Sequence, residues 1–257
     1  FFASNHYHLI VTIPDLRALA LFMNYINSNI PREAGRMFGW REKFWGRRYR
    51  GIEILDEAAQ VERLHYVLSH GCKEGLVADP RDWPGATCVG ALLDDTPMSG
   101  IWVDRTAEWY ARRRGETFDE DAYAERVEFE LAPLPCWAEL SSAERCGKVL
   151  RMVEEIVETT CEHNRKKNRK PMGVAKVLQQ HPHDHPDSPK KSPAPRCHTT
   201  ERDLWIRFVK EVRAFREAYR VAAERWLDGA WDTVFPPNCF PPPLTYLRGP
   251  EPALVPS

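Results

Sequence analysis

The sequence predicts an α+β chain of 257 residues whose later part is mainly helical. Two short segments are typical of strands: the apolar run at residues 4–11, and residues 49–55, in which polar and apolar residues alternate. Longer segments with apolar residues three or four positions apart, such as 16–30, are typical of helices. We therefore expect three parts, which are residues 1–95, a mainly helical accessory region at 96–234 and an irregular proline-rich tail at 235–257.

The first apolar run carries two histidines that are separated by one residue. Side chains two positions apart lie on the same face of a strand, so His6 and His8 would project together, with Cα atoms ~6.5–7 Å apart. Two imidazoles at that spacing could bind one metal ion. The alternative is that both are ordinary side chains on a half-exposed strand.

A strongly basic segment, residues 32–50, follows the helix predicted from about residue 16 to 30. It holds seven Arg or Lys residues against two Glu residues, with aromatic side chains between them. Basic groups bind phosphates and aromatic rings stack on unpaired bases, so the segment predicts a surface for single-stranded nucleic acid. A solvated basic loop is the alternative. The candidate DNA-binding residues are Arg41, Lys43, Trp45, Arg47, Arg48 and Arg50.

A second helix is predicted from Glu57 to about Ser69, with Asp56 as its N-cap and Gly71 at its end. Tyr66 and His70 lie four positions apart, on the side opposite its apolar stripe, and are therefore neighbours on the helix surface. A tyrosine there is either an ordinary surface residue or a phenol presented as a nucleophile beside a metal ligand.

The later sequence predicts mainly helices. Two are expected at residues 104–114 and 119–131, and a third begins at the capping-box pattern of Ser141 to Glu144 and runs to about residue 162. The longest helix, from Thr199 or Thr200 to about Asp228, carries an aromatic stripe that is typical of helix packing.

Two polar segments lie between these last helices. The basic run 163–170 is either a solvated helix end or a phosphate-contacting patch. The histidines at positions 181–185, taken with Cys197 and His198, match no standard zinc spacing, and the prolines among them predict an extended, irregular chain.

The overall composition narrows the function classes. A formal net charge of −1 gives no global signature of nucleic-acid binding. The seven cysteines are scattered and form no CxxC pair, which is typical of reduced cytoplasmic thiols. Since no apolar run approaches the length of a membrane span and no signal peptide is evident, we expect a cytoplasmic protein without a membrane partner.

Four segments, in this order, resemble the single-tyrosine HUH transposases, in the branch that includes the REP-associated tyrosine transposases. They cover about the first third of the chain. They are Ser-Asn-His-Tyr-His at 4–8, Phe-Trp-Gly-Arg-Arg-Tyr at 44–49, His-Tyr-Val at 65–67, and Gly-Leu-Val-Ala-Asp-Pro-Arg-Asp-Trp-Pro at 75–84.

The resemblance implies a site and a reaction. His6 and His8 stand at the family's metal ligands, Tyr66 stands at the nucleophile, and His70 occupies a position that provides a third ligand in some relatives. The implied cofactor is a divalent ion, Mg²⁺ or Mn²⁺. The implied reaction is cleavage and rejoining of single-stranded or hairpin DNA through a 5′-phosphotyrosine, in some relatives by a homodimer.

The resemblance also implies a ferredoxin-like antiparallel sheet whose first strand and helix lie upstream of the histidine pair. Because both are missing from this sequence, we expect only a partial ferredoxin-like sheet. That absence favours a second hypothesis, a non-catalytic remnant or regulator that binds hairpin or single-stranded DNA. A third hypothesis, an unrelated metal hydrolase, leaves Tyr66 and the basic segment unexplained.

Overall fold

A computed structural model describes residues 1–3, 5–181, 184 and 195–243. The described residues mix helix and strand, with helix dominant. The helices are α1 (Leu16–Phe38), α2 (Glu57–Lys73), α3 (Val89–Asp94), α4 (Arg105–Arg113), α5 (Ser142–Lys166), α6 (Val174–Gln179) and α7 (Arg202–Leu227), and the strands are β1 (Glu53–Ile54), β2 (Met98–Val103), β3 (Ala124–Phe129) and β4 (Cys197–His198). The predicted mainly helical C-terminal region agrees with this arrangement.

The chain divides into two compact units. One comprises Phe1–Ile10 and Gln60–Pro189, and the other comprises Val11–Ala59 and Lys190–Ser257. The sequence-predicted boundaries at residues 95 and 234 divide the chain differently and stay a prediction.

The first unit has its core between α2 and α5. Val67 and Leu68 of α2 pack in one apolar cluster with Val149 and Val153 of α5, the last of which is fully buried. Trp83 belongs to the same cluster and lies in the segment that follows α2. Helix α5 begins with the predicted capping box, in which Ser141 and Glu144 exchange side-chain to backbone hydrogen bonds.

Strands β2 and β3 of the first unit form an antiparallel hairpin, in register from Met98 opposite Phe129 to Val103 opposite Ala124. The helix predicted over residues 119–131 is therefore wrong. Only a short 3₁₀ turn, Asp121–Tyr123, precedes β3 there. Strand pairing with β2 outweighs the helical spacing of the apolar residues in this segment.

The segment with the histidine pair is not a regular strand. Its β structure is an isolated antiparallel bridge between Phe2 and Tyr7. Apart from Tyr7, residues 5–11 carry no β structure, so the predicted strand over residues 4–11 is wrong. Residue 4 lies outside the described residues.

The second unit contains α1, the basic segment, β1, β4 and α7. Strand β1 is shorter than predicted and pairs in parallel with β4, Glu53 opposite Cys197 and Ile54 opposite His198. Asp56 caps α2 by accepting from the Ala59 nitrogen at 2.7 Å, and it also accepts from the Thr200 nitrogen at 2.8 Å.

Helix α1 is longer than predicted and continues through Pro31 to Phe38. Pro31 has no N–H, so the Asn27 carbonyl lacks its usual helical donor. The indole Nε1 of Trp45 donates to that carbonyl at 2.9 Å. The side chain of Trp45, in the loop after α1, thus replaces the hydrogen bond that proline removes.

Candidate metal centre

Three imidazoles converge in the first unit. His6 and His8 come from the N-terminal hairpin and His70 comes from α2, and one ligand atom from each lies within 4.8 Å of the other two. The His6 and His70 Nε2 atoms are 2.6 Å apart, and the ring centroids of His8 and His70 are 4.4 Å apart. The sequence-predicted ligands are therefore brought together, although His6 and His8 are not on a strand.

Backbone hydrogen bonds set the shape of the hairpin that carries His6 and His8. The His8 nitrogen donates to the Phe1 carbonyl at 2.9 Å, and the Ala3 nitrogen donates to the His6 carbonyl at 2.8 Å. The tight reversal turns both imidazoles toward α2 without the support of a sheet.

The segment after α2 holds this hairpin in place. The Trp83 indole Nε1 donates to the Phe2 carbonyl at 3.1 Å, and the Phe2 nitrogen donates to the Ala86 carbonyl at 2.9 Å. Trp83 and Ala86 were not among the sequence-predicted site residues. Their positioning role depends on contacts more than 80 positions apart in the chain, which no local pattern reveals.

His70 is only 4% exposed, although it lies opposite the apolar stripe of α2. The Phe1 ring covers it, with ring centroids 5.2 Å apart. Gly71 permits the close packing beside it, because an added Cβ would lie 3.1 Å from a Val77 methyl and 3.2 Å from the Trp83 ring. Gly71 therefore does not end the helix as predicted, and α2 continues to Lys73.

The environment keeps the three imidazoles neutral. Burial, reinforced by the charges of neighbouring imidazoles, lowers the pKa of His8 to about 4. Burial, followed by the charges of His6 and Lys73, lowers the pKa of His70 to about 4. Burial also lowers the pKa of His6, although the nearby Glu74 carboxylate opposes this effect. At pH 7 the lone pairs needed for metal binding are therefore available.

The ring nitrogens of the three histidines are placed where they could bind one metal ion. The Asn5 side-chain oxygen lies 2.5 Å from His6 Nδ1. Because an amide oxygen accepts a hydrogen bond, the proton is on Nδ1, and the lone pair of Nε2 can bind a cation. His8 Nε2 is buried without a hydrogen-bond partner, and His70 Nε2 lies against His6 Nε2. These three histidines could hold a metal ion. Nitrogens that share one ion lie ~3–3.5 Å apart, so His6 and His70 would separate by less than ~1 Å.

Tyr66 borders the three imidazoles. Its ring centroid lies 5.4 Å from that of His8 and 5.5 Å from that of His70, which is one turn further along α2. Two cations flank the same ring, with the Arg63 guanidinium carbon 5.3 Å and the Lys73 Nζ 4.8 Å from its centroid. The predicted nucleophile thus lies beside the predicted metal ligands, with two cationic side chains next to its ring.

The candidate DNA-binding segment lies in the second unit. Five of its predicted residues are exposed, and none of the five forms an ion pair within the described part of the chain; they are Arg41, Lys43, Arg47, Arg48 and Arg50. Trp45 is half-buried, since its indole binds α1, and Phe44 packs edge-on against it with ring centroids 4.7 Å apart. The cations are therefore available to a partner, while Trp45 also anchors the loop.

The remaining sequence features add no second metal centre among the described residues. His183 and His185 of the histidine-rich segment lie outside the described residues, as do residues 244–257 of the proline-rich tail. All seven cysteines are free thiols. None of the described helices combines the length and the apolar character that a membrane crossing requires.

Comparisons with protein-family models, with curated proteins and with solved structures find no match to this chain.

Proposed function

We propose that this protein is a metal-dependent DNA strand transferase, related to the single-tyrosine HUH transposases, that cleaves and rejoins single-stranded DNA. The observation that carries the proposal is the position of the Tyr66 ring within 5.5 Å of the His8 and His70 rings. A phenol beside three neutral imidazoles brings together a nucleophile and a cation site.

The proposed cofactor is a divalent ion bound by His6, His8 and His70. Nitrogen ligands bind Mn²⁺ better than Mg²⁺, so we expect Mn²⁺ to support the higher activity. A divalent ion in this site supplies Lewis-acid chemistry, because it draws electron density from a phosphate oxygen.

The proposed reaction conserves the number of phosphodiester bonds. The Tyr66 oxygen attacks a backbone phosphorus, a P–O bond to tyrosine forms, and the P–O3′ bond breaks. The proton released by the phenol is balanced by the proton that the departing 3′ oxygen takes up. A 3′-OH from a second strand then reverses the step, which transfers the 5′ end without ATP.

The cations around Tyr66 support the choice of a phosphate substrate. Arg63 and Lys73 flank the tyrosine ring from the same helix, and they would bind the strand's phosphates near the scissile bond. The exposed cations of residues 41–50 are proposed to hold the flanking strand or hairpin. The partial ferredoxin-like scaffold and a homodimer belong to the same proposal.

The proposal can be tested with a dye-labelled DNA hairpin that carries a single-stranded flank, incubated with protein and Mn²⁺. We expect a protein–DNA adduct that survives denaturing electrophoresis. The adduct should disappear in Tyr66→Phe and should persist in Tyr110→Phe, a matched change at an exposed tyrosine of α4.

Metal dependence is the second arm of this test. A chelator, or the double change His6→Ala and His8→Ala, should abolish the adduct while DNA binding remains. Tight binding without any adduct in the unaltered protein would instead support the non-catalytic DNA-binding hypothesis.

A further inference from the structure

A run of exposed positive charge follows the end of α5 in the first unit. Residues 163–170 contain five Lys or Arg residues and no Asp or Glu. Lys166 pairs with Glu162 at 3.1 Å. The other four form no ion pair within the described part of the chain, and all four are exposed; they are Arg165, Lys167, Arg169 and Lys170.

Helix stabilisation explains only the start of this run. Cations in the last turn of a helix interact favourably with its dipole, an effect that falls off beyond that turn. Arg165 and Lys166 lie in the last turn of α5. Lys167, Arg169 and Lys170 lie past it, where the chain turns through Asn168 at φ 46°. Three adjacent unpaired cations repel one another, and this repulsion is relieved by an anionic partner.

The chain connects this run to the neighbourhood of Tyr66. The Met172 nitrogen donates to the Gly75 carbonyl, and the Gly173 nitrogen donates to the Leu76 carbonyl, both at 2.9 Å. Lys170 lies two residues before Met172, and Lys73 lies two residues before Gly75. At 3.8 Å per residue, the Cα atoms of Lys170 and Lys73 are at most about 20 Å apart.

We propose that Lys167, Arg169 and Lys170 bind the phosphates of single-stranded DNA a few nucleotides from the strand at Tyr66. The inference rests on the proposed function for its choice of partner. The acidic side chains in the later turns of α5 (Glu154, Glu155, Glu158 and Glu162) precede the run in sequence, so the contact is confined to the residues after the helix.

The test measures the salt dependence of DNA binding in the Tyr66→Phe protein, which separates binding from cleavage. The triple variant Lys167→Gln, Arg169→Gln and Lys170→Gln is compared with a control that loses equal charge from exposed positions of α7, namely Lys210→Gln, Arg213→Gln and Arg216→Gln. Fluorescence anisotropy of a dye-labelled single strand gives Kd at several KCl concentrations from about 50 to about 200 mM. Phosphate contacts change the affinity strongly over this range.

The association constant K falls as salt rises, and each phosphate contact adds about 0.7 to the steepness of log K against log salt for a single strand. Losing three contacts therefore reduces the magnitude of this slope by about 2. We expect this loss in the 167–170 variant, with an affinity reduced on the order of 10- to 100-fold, and no such loss in the α7 control. An unchanged slope in the 167–170 variant, or an equal loss in the control, would overturn the inference.

The two proposals fail separately. If the unaltered protein forms no tyrosine adduct but the slope still falls by about 2, the DNA-binding run stands and the cleavage proposal fails. If the adduct forms and the slope does not change, only the DNA-binding run is refuted. Because the substituted side chains are exposed, thermal unfolding of the triple variant should match that of the unaltered protein.

Discussion

At the scale of single residues, the candidate centre depends on which ring nitrogens carry protons. Asn5 holds the proton of His6 on Nδ1, and burial keeps His8 and His70 neutral. The sequence shows the pairs His6 and His8, and Tyr66 and His70, because the spacing within each pair is local, and the family resemblance predicts that the two pairs share a site. It does not assign a role to Asn5, because that role appears only once the imidazole orientations are known.

Asn5→Ala is expected to weaken metal binding without removing a ligand. Outer hydrogen bonds to a metal-binding histidine typically contribute 10- to 100-fold in affinity. Isothermal titration with Mn²⁺ should show a loss of about that size in Asn5→Ala. The control Asn24→Ala, at an exposed asparagine of α1, should bind Mn²⁺ as the unaltered protein does. Equal affinities in both variants would contradict the role given to Asn5.

The metal-free protein is expected to lose stability as the pH falls from about 6.5 toward 4. The pKa of His8 and of His70 is about 4 in the folded chain, against about 6.5 when unfolded. Between these values the unfolded state binds more protons, so acid favours unfolding. The slope is at most about 1.4 kcal/mol per pH unit for each imidazole.

Urea unfolding in the presence of a chelator, at several pH values between 4 and 7, measures this effect. His8→Gln should reduce the dependence on pH, since one of the three imidazoles with a lowered pKa is gone. Stability that stays constant over this range would show that the imidazoles are not buried as described.

At the scale of elements, the site is built where α2 meets the segments around it. The sequence predicts α2 and its N-cap Asp56, because periodicity and capping are local signals. It places the end of the helix too early, because Gly71 is used for close packing and not as a terminator. The histidine segment forms a short hairpin with residues 1–3, joined by the bridge between Phe2 and Tyr7.

Gly71→Ala is expected to destabilise the first unit. Alanine favours a helix over glycine by about 1 kcal/mol, but the added methyl would press against Val77 and Trp83. Overpacking of a core costs about 1–3 kcal/mol, so the net change should be a loss of up to about 2 kcal/mol. Chemical denaturation measures it. Gly90→Ala in α3, where an added Cβ meets open space, should instead be neutral or stabilising.

Trp45 and Pro31 are expected to be energetically coupled. Trp45→Phe removes the donor to the Asn27 carbonyl and should cost about 1 kcal/mol of unfolding free energy. In a Pro31→Ala background, the backbone N–H of residue 31 can bind that carbonyl, so the same change should cost less. A double-mutant cycle by urea denaturation measures the coupling. Strictly additive effects would contradict the replacement of the helical hydrogen bond by the indole.

At the scale of the whole molecule, the sequence predicts the mixture of helix and strand and the mainly helical later region. Apart from the histidine and tyrosine segments that the family resemblance joins, it does not predict which distant segments meet. The pairing of β1 with β4 joins Glu53 to Cys197, and the first unit joins residues 1–10 to residues after 60. Such contacts depend on tertiary packing, which periodicity within a short window does not report.

The central proposal is that His6, His8 and His70 bind a single divalent ion beside Tyr66. The most direct measurement is anomalous diffraction from crystals of the protein grown with Mn²⁺. We expect one strong peak, ~2 Å from a ring nitrogen of each of the three histidines and next to the Tyr66 side chain. The absence of a peak between these imidazoles, or a peak bound only by other residues, would contradict it.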